Sequence, residues 1–242
     1  MSKSTPVSTT RCMNCAIPQP LSDSIVSASF RISLQSTRNS FLRHLHTTDI
    51  NLSHKSKIQP IICPHGFIIF GALVLVTAGV MYFTSMKNLH EDEWERTVDV
   101  NCKGTMFGVG AVLGGMIERG SGHIVNISSD AGRRIFPSLA VYSASKFFVE
   151  AMSEGLRREI VGTGLKVTTI QPGDCATDLI MNNTDKEAAE EQGVSIGVKV
   201  GTGSTTNQVL QPADVAAAVL YAVTAPTHVA INEVLVEPRD QA

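Results

Sequence analysis

The chain has 242 residues, of which 17% are charged and 43% hydrophobic, and its formal net charge is −2. This composition suits one globular domain of about 150–250 residues and excludes a collagen, a wholly disordered chain and a multi-span membrane protein. The near-neutral charge argues against nucleic-acid binding. Five irregularly spaced cysteines do not make the framework of a secreted disulfide-rich domain.

The character of the chain changes near residue 66. Residues 1–66 carry a net charge of +5, and all 19 glycines lie from Gly66 onward. We therefore divide the chain into an N-terminal segment, 1–66, and a domain, 67–242. The Ser- and Arg-rich, acid-poor segment is typical of a mitochondrial transit peptide, but a disordered segment has the same composition and is the interpretation we favour.

Four side chains of the N-terminal segment are of types that bind zinc: Cys12, Cys15, Cys63 and His65. Structural zinc sites take their ligands from two closely spaced pairs, and here the second pair lies far from the first. We expect no metal site in this chain.

An apolar run from Phe67 to Phe83 contains no charged residue. Its 17 residues lie at the lower limit of a membrane-spanning helix, which needs about 20. The alternative is a buried parallel strand, "GALVLV", because strands covered on both faces are continuously apolar. The pattern that follows favours the strand, so we expect a cytoplasmic protein, with a mitochondrial or membrane-associated one as the alternatives.

Strands and helices alternate from residue 87 onward. Helices are predicted over 91–118, over 140–161 and from Pro212, which provides a helix-start signal. Short apolar strands are predicted at "GHIVNISS", "GLKVTTIQP" and "VAINEVLVEP". Such alternation predicts βα units, a parallel sheet and an α/β fold.

The residue types that carry proton chemistry lie in the middle of this pattern. Tyr142 and Lys146 are four residues apart on a predicted helix, so they project from one face. A free tyrosine has a pKa of about 10, which a nearby cation can lower by about 1–3 units. Ser129 ends the preceding strand, at the edge where parallel sheets bind ligands. A surface Tyr–Lys pair has the same spacing, so spacing alone leaves both interpretations open.

Four motifs in order make the stretch from about Ala78 to the C-terminus similar to the short-chain dehydrogenase/reductase family. They are "VDVNCKG" with Asn101, "VNISSDAG" with Ser129, "YSASK" with Tyr142 and Lys146, and "QPGDCATDL" at 171–179. The C-terminal stretch is similar to the bacterial-type NADP-dependent branch that acts on short hydroxy acids, serine and small aldehydes. The resemblance implies a Rossmann-like, doubly wound parallel sheet.

The resemblance also implies roles for individual residues. Tyr142 resembles the proton donor and acceptor, and Lys146 the residue that lowers its pKa and binds the nicotinamide ribose. Ser129 resembles the hydroxyl that orients the substrate, and Asn101 the backbone-bending asparagine that holds a water of the proton relay. The cofactor-binding set implied by the resemblance is Gly79, Asn101, Tyr142, Lys146, Pro172, Gly173 and Thr177.

The first part of the family pattern has no counterpart in this sequence. The family opens with a strand and a glycine-rich turn that cradles the cofactor pyrophosphate at a helix N-terminus, and residues 1–65 contain no glycine. The family's Asn-Asn-Ala-Gly reads Val76–Thr77–Ala78–Gly79 here. We therefore predict that strands 1–3 are missing or replaced and that the fourth strand is an exposed edge. Binding of NADP or NAD is predicted to be compromised.

Two functions follow from the resemblance. The first is hydride transfer between NAD(P)(H) and a small carbonyl or alcohol substrate, with tyrosine as general acid and base. The alternative is a catalytically inactive fragment that acts as a dimerisation or interaction module, with a membrane tether through 67–83 as a further option. In either case the family implies a homo-oligomer, built through helices 91–118 and 140–161.

Overall fold

In this computed structural model, residues 61–63, 67–70, 72–194, 196 and 209–241 are described. The predictions made for residues 1–60 and for His65 lie outside these ranges. Six strands lie in the described part: β1 (Ile61–Cys63), β2 (Phe67–Phe70), β3 (Leu73–Val76), β4 (Gly122–Ile127), β5 (Leu165–Pro172) and β6 (Glu233–Val236). The α-helices there are α1 (Glu91–Thr97), α2 (Gly104–Arg119), α3 (Ala140–Glu159), α4 (Lys186–Glu191) and α5 (Pro212–Val223).

The six strands form one sheet in the order β1-β2-β3-β4-β5-β6. Strands β3 to β6 are parallel to one another, whereas β1 and β2 form an antiparallel pair that joins the sheet beside β3. The predicted α/β, Rossmann-like fold is therefore confirmed for the parallel half. Helix α5 begins at Pro212, as the helix-start signal predicted.

The prediction of an exposed edge at β3 is wrong, because β2 pairs along its whole length. Side chains of β2 also enter both layers of the core: Phe67 and Ile69 pack on one face of the sheet and Ile68 on the other. The sequence concealed this strand because "FIIFGALVLV" reads as a single apolar run with one internal glycine. A hairpin of two antiparallel strands thus replaces the family's first strands at this edge.

The apolar run does not form a membrane-spanning helix. Its residues build β2 and β3 and then continue as irregular chain up to Phe83. One other stretch in the described part, the helical run Glu91–Arg119, is long and apolar enough to cross a membrane. That is weak support for a span, because the core helix of a globular protein meets the same criteria, and here the run packs against the sheet.

Helices cover both faces of the sheet. On one face, α2 and α3 contribute Val109, Met116 and Leu156 to a core with Val74 and Ile124. The opposite face is covered by α5. The chain leaving β4 therefore turns to one face, and the chain leaving β5 turns to the other. Diverging connections of this kind open a crevice at the carboxyl ends of the strands, which is where α/β sheets bind ligands.

Packing of β2 on α2 gives a stability prediction at one glycine. A Cβ atom added to Gly108 would lie 1.8 Å from the Phe67 ring, whereas at Gly110, two residues later on the same helix, it meets nothing within 4 Å. Gly108→Ala is expected to lower the free energy of unfolding by about 1–3 kcal/mol, because a packed ring must move.

Gly110→Ala is the matched control and is expected to raise the free energy of unfolding by about 0.5–1 kcal/mol, through helix propensity alone. Urea unfolding of both variants measures the difference. Equal effects of the two substitutions would contradict the packing of Phe67 against α2.

Candidate active site

Tyr142 and Lys146 lie one turn apart in α3 and face the carboxyl end of β4. Both side chains are buried, with 5% and 4% of their surface exposed. The Lys146 ammonium donates a hydrogen bond to the Ile127 carbonyl at 3.1 Å and lies 5.7 Å from the centre of the Tyr142 ring. This burial excludes the interpretation of the two residues as a surface pair.

Burial sets the proton affinities of the pair. It lowers the pKa of Lys146 to about 8, against the opposing attraction of Glu150 and the Cys102 thiol. It raises the pKa of Tyr142 to about 12; the hydrogen bond to Ser129 opposes this increase and the charge of Asp130 adds to it. The expectation that the pKa of Tyr142 is lowered is therefore wrong for this structure, because desolvation of the phenolate outweighs the nearby cation.

Ser129 lies directly after β4, where the strand ends and a single 3-10 turn, Asp130–Gly132, begins. Its hydroxyl accepts a hydrogen bond from the Ala131 N–H at 3.2 Å and donates one to Asp130 Oδ1 at 2.9 Å. Its interaction with the Tyr142 side chain opposes the rise in the pKa of Tyr142, so the predicted serine and tyrosine lie near each other.

Asn101 is fully buried inside a π-helical turn, Val98–Lys103, which interrupts the helix between α1 and α2. Turns of this kind widen a helix locally and are frequent at functional sites. The Asn101 amide donates to the Val80 carbonyl and to Ser145 Oγ, each at 2.9 Å, and its Oδ1 accepts from the Val80 N–H at 2.8 Å. Asn101 thus holds the loop after β3 against α3.

The predicted cofactor residues lie around the same crevice. At Gly79 an added Cβ would lie 3.7 Å from Lys146 Nζ, so the loop after β3 approaches the lysine closely. Pro172 ends β5, and the Gly173 N–H donates to the Val236 carbonyl at 2.8 Å. The Thr177 hydroxyl accepts from the Leu179 N–H at 3.4 Å, within its own loop.

Sequence reasoning missed a polar bridge across the crevice. The Gln241 side chain accepts a hydrogen bond from the Asp174 N–H at 2.9 Å and donates one to Asp130 Oδ2 at 2.8 Å. The bridge joins the loop after β4 to the loop after β5. Asp130 follows the apolar strand β4 closely, and this position could have identified it from the sequence. Gln241 lies 111 residues further along the chain, and nothing in the sequence marks it as a partner.

A second wall of the crevice joins the loops after β3 and β5. Asn183 Oδ1 accepts from the Phe83 N–H at 2.9 Å, and Asp185 Oδ2 accepts from the Ser85 N–H at 3.0 Å. Asp185 also caps α4 by accepting from the Ala188 N–H. These contacts anchor the first part of the segment 178–205, which the family resemblance implies to be a substrate loop; most of its second part lies outside the described residues.

Comparisons with known proteins agree with this arrangement. The family described as short chain dehydrogenase matches residues 71–188. A glycine betaine reductase from Emericella nidulans is 53% identical over 169 residues, which are 70% of this chain and 13% of that protein. An uncharacterized oxidoreductase from Staphylococcus aureus is 38% identical over 173 residues, covering 70% of this chain and 66% of that protein.

Solved structures show the same fold. A closed form of serine dehydrogenase complexed with NADP+ is 32% identical, with a TM-score of 0.61, and the match covers 70% of this chain and 66% of the other. Serine dehydrogenase from Escherichia coli is 32% identical, with a TM-score of 0.56 and coverage of 71% and 65%. The chain thus spans about two thirds of these relatives, and a much smaller part of the fungal reductase.

Proposed function

Because the chain belongs to the short-chain dehydrogenase/reductase family, a family of oxidoreductases, we propose that it catalyses hydride transfer between a nicotinamide cofactor, NADP or NAD, and a small carbonyl or alcohol. One observation carries this proposal: Tyr142 and Lys146 are buried side by side in α3, with the Lys146 ammonium 5.7 Å from the centre of the Tyr142 ring, and Ser129 lies close enough to oppose the rise in the pKa of Tyr142. The bound nicotinamide would supply or accept the hydride.

Tyr142 serves as the proton donor in the reducing direction. With its pKa raised to about 12, the phenol stays protonated at neutral pH and can give its proton to a carbonyl oxygen as the carbonyl carbon gains hydride. Ser129 donates a second hydrogen bond to the same oxygen once its hydroxyl turns from Asp130. The products are the alcohol and a tyrosinate, which solvent reprotonates.

Lys146 stabilises that tyrosinate and binds the cofactor. Its ammonium group makes one hydrogen bond within the described residues, to the Ile127 carbonyl, so two of its three donors remain for ribose hydroxyls. The close approach of Gly79 leaves room beside these donors. The residues present therefore fit the nicotinamide ribose, with Asn101 holding the loop that carries Gly79.

The residues at the outer edge of the sheet do not fit the remainder of the cofactor. The family's parallel first strand and glycine-rich turn are replaced by the antiparallel strands β1 and β2. Binding of the whole dinucleotide is therefore weaker in this proposal than in a family member with that turn, because the pyrophosphate loses its contact with a helix N-terminus.

The proposed substrate is a short polar alcohol or aldehyde that carries a nitrogen group. Two of the named relatives are named for compounds that carry a nitrogen group, glycine betaine and serine. Asp130 and Asp174 provide carboxylates in the loops after β4 and β5, and burial, together with the charge of Asp130, raises the pKa of Asp174. Carboxylates placed in this way favour a cationic group on the substrate.

The test is turnover by the purified chain with NADPH or NADH at millimolar concentration. The substrates are a neutral aldehyde, a trimethylammonium aldehyde and, for oxidation with NADP+ or NAD+, serine and choline. The proposal predicts cofactor-dependent turnover that favours the cationic member of each pair. If the protein is folded but turns over none of these substrates, the hydride-transfer proposal is rejected.

We further propose that two copies associate through the outer faces of α2 and α3. Four large apolar side chains are exposed there, Met106, Phe107, Phe147 and Phe148, and the family resemblance implies an interface on these helices. Exposed apolar groups of this size favour burial against a partner.

Analytical ultracentrifugation is expected to show a dimer that Phe107→Asp converts to monomer. The control is Ile135→Asp, which changes an equally exposed apolar residue in the loop after β4. A wild-type monomer, or dissociation by the control as well, would contradict an interface on α2 and α3.

A further inference from the structure

We propose that this chain recognises the nicotinamide–ribose half of its cofactor and makes no productive contact with the adenosine half. A mononucleotide carrying nicotinamide would then bind as well as the full dinucleotide. The inference rests on the proposed hydride-transfer function and specifies the ligand that the site selects. It follows from a difference between the two ends of the crevice.

At the inner end, the groups that would hold the nicotinamide ribose are fixed by buried contacts. Lys146 lies at the end of β4, held by the Ile127 carbonyl. Gly79 is held beside it because the Val80 N–H and carbonyl both bond to the Asn101 amide. These contacts place the lysine ammonium beside the backbone of Gly79. A Cβ added to Gly79 would lie 3.7 Å from Lys146 Nζ.

At the outer end, a tight hairpin occupies the position that a phosphate cradle needs. Phe67 of β2 pairs with Cys63 of β1 and with Val76 of β3. Strand β1 therefore ends, and strand β2 begins, at the carboxyl edge of β3. Only the three residues 64–66 separate β1 from β2. Strand β2 pairs directly with β3, so among the described residues the position beside β3 is taken by an antiparallel strand and not by a strand that leads into a helix.

The hairpin position is also held by packing on both faces of the sheet. The Phe67 ring lies against the backbone of Gly108 on α2, and Ile68 packs into the core under α5. Because β2 contributes to both cores, it is not free to move aside for a dinucleotide. The outer wall of the crevice is therefore apolar strand rather than a row of backbone N–H donors.

The charges of the first helix after β3 oppose a pyrophosphate as well. Helix α1 begins with Glu91, Asp92 and Glu93, whose carboxylates repel an anion from that helix terminus. Lys87, which precedes the helix, forms ion pairs with Glu187 and a second α4 carboxylate. The segment between β3 and α1 therefore offers no unpaired lysine to a phosphate within the described residues.

The experiment compares four ligands by isothermal titration calorimetry with the full chain: NADPH, NADH, reduced nicotinamide mononucleotide, and ADP, which carries the adenosine half without the nicotinamide ribose. The three nicotinamide ligands are expected to have dissociation constants within about threefold of one another, with no detectable heat from ADP. Binding needs no turnover, so the result does not depend on the choice of substrate.

Variants locate the binding to the inner end of the crevice. Lys146→Met is expected to weaken the binding of all three nicotinamide ligands by about tenfold or more, because two charge-assisted hydrogen bonds to the ribose are lost. Lys103→Met is the matched control, since Lys103 is an exposed lysine of the π-helical turn, paired with Asp99. Lys146→Met is expected to fold, because the substitution removes an ammonium group whose burial lowers its pKa.

The possible outcomes separate this inference from the function on which it rests. NADPH binding about tenfold or more tighter than the mononucleotide, or measurable binding of ADP, would overturn the half-cofactor inference and leave hydride transfer intact. Failure of every nicotinamide ligand to bind folded protein would overturn both. If the three nicotinamide ligands bind equally well but Lys103→Met weakens their binding as strongly as Lys146→Met does, the assignment of the binding site to Lys146 would be wrong.

Discussion

Phenylalanine in place of Tyr142 is expected to lower kcat by about 10²- to 10⁴-fold, the range that a positioned general acid contributes. In the proposed reaction the Tyr142 hydroxyl gives its proton to the substrate oxygen. Without it, Ser129 can still donate a hydrogen bond to that oxygen but is too weak an acid to transfer its proton. The ring itself remains, so the packing of Tyr142 with Ala131 and Leu139 is preserved. KM is therefore expected to change far less than kcat.

Steady-state kinetics with saturating cofactor measure this effect. The matched control is Tyr221→Phe, which makes the same chemical change at an exposed tyrosine of α5. Its kcat should equal that of the wild type. If Tyr142→Phe retained full turnover, the proton would come from another group and the assignment of Tyr142 would be wrong.

The parts of the site that sequence could predict are those encoded by neighbouring residues. The α3 pair follows from the four-residue spacing of Tyr142 and Lys146, and the position of Ser129 follows from the apolar strand that precedes it. Asn101 was identified through its motif. The bend in the backbone around it, a π-helical turn, depends on how the helix packs, so the motif alone gave no evidence of it.

The parts that sequence missed depend on contacts between distant segments. Gln241 reaches Asp130 across 111 residues, and no local pattern encodes such a pair. The pKa of Tyr142 was misjudged because spacing shows that a lysine is near but does not show that the phenol is buried. Strand β2 was missed for a similar reason, since its pairing with β3 is set by a register that apolar residues alone do not specify.

The correct predictions and the missed ones lie in different parts of the sheet. From β3 to β6 the sheet carries the motifs of the family, and there local spacing and tertiary position agree. Beyond β3 the hairpin of β1 and β2 covers apolar surface that the family covers with a different set of strands. Shielding the core and binding a dinucleotide are separate demands on that edge, and in the inference made above the hairpin meets only the first.

Burial of Lys146 makes a further prediction, for stability rather than turnover: Lys146→Met is expected to raise the free energy of unfolding at pH 7 by about 2 kcal/mol. The pKa of Lys146 falls from 10.5 to about 8 on folding, so the folded state holds its ammonium at a cost of about 3 kcal/mol below pH 8. Loss of the hydrogen bond to Ile127 offsets about 1 kcal/mol of the gain.

The pH dependence distinguishes this effect from a simple change in packing. Between pH 8 and 10.5 the unfolded wild type binds more protons than the folded protein, so its stability rises with pH, whereas the Lys146→Met curve lacks this rise. Urea unfolding at pH 7, 8, 9 and 10 should therefore show the two curves converging. Above pH 10 both proteins lose stability, because the unfolded chain releases the Tyr142 proton whereas the folded protein, in which the pKa of Tyr142 is raised to about 12, retains it.

Lys103→Met again provides the control, because the hydrogen bond and charge of Asp99 raise the pKa of the exposed Lys103, which therefore stays charged in both states up to pH 10. Its stability curve should run parallel to that of the wild type between pH 7 and 10. Parallel curves for Lys146→Met as well would mean that its ammonium is solvated in the folded protein. A solvated Lys146 would not be a buried cation beside Tyr142. Its proposed roles, stabilising the tyrosinate and binding the ribose, would then be wrong, because both depend on its burial.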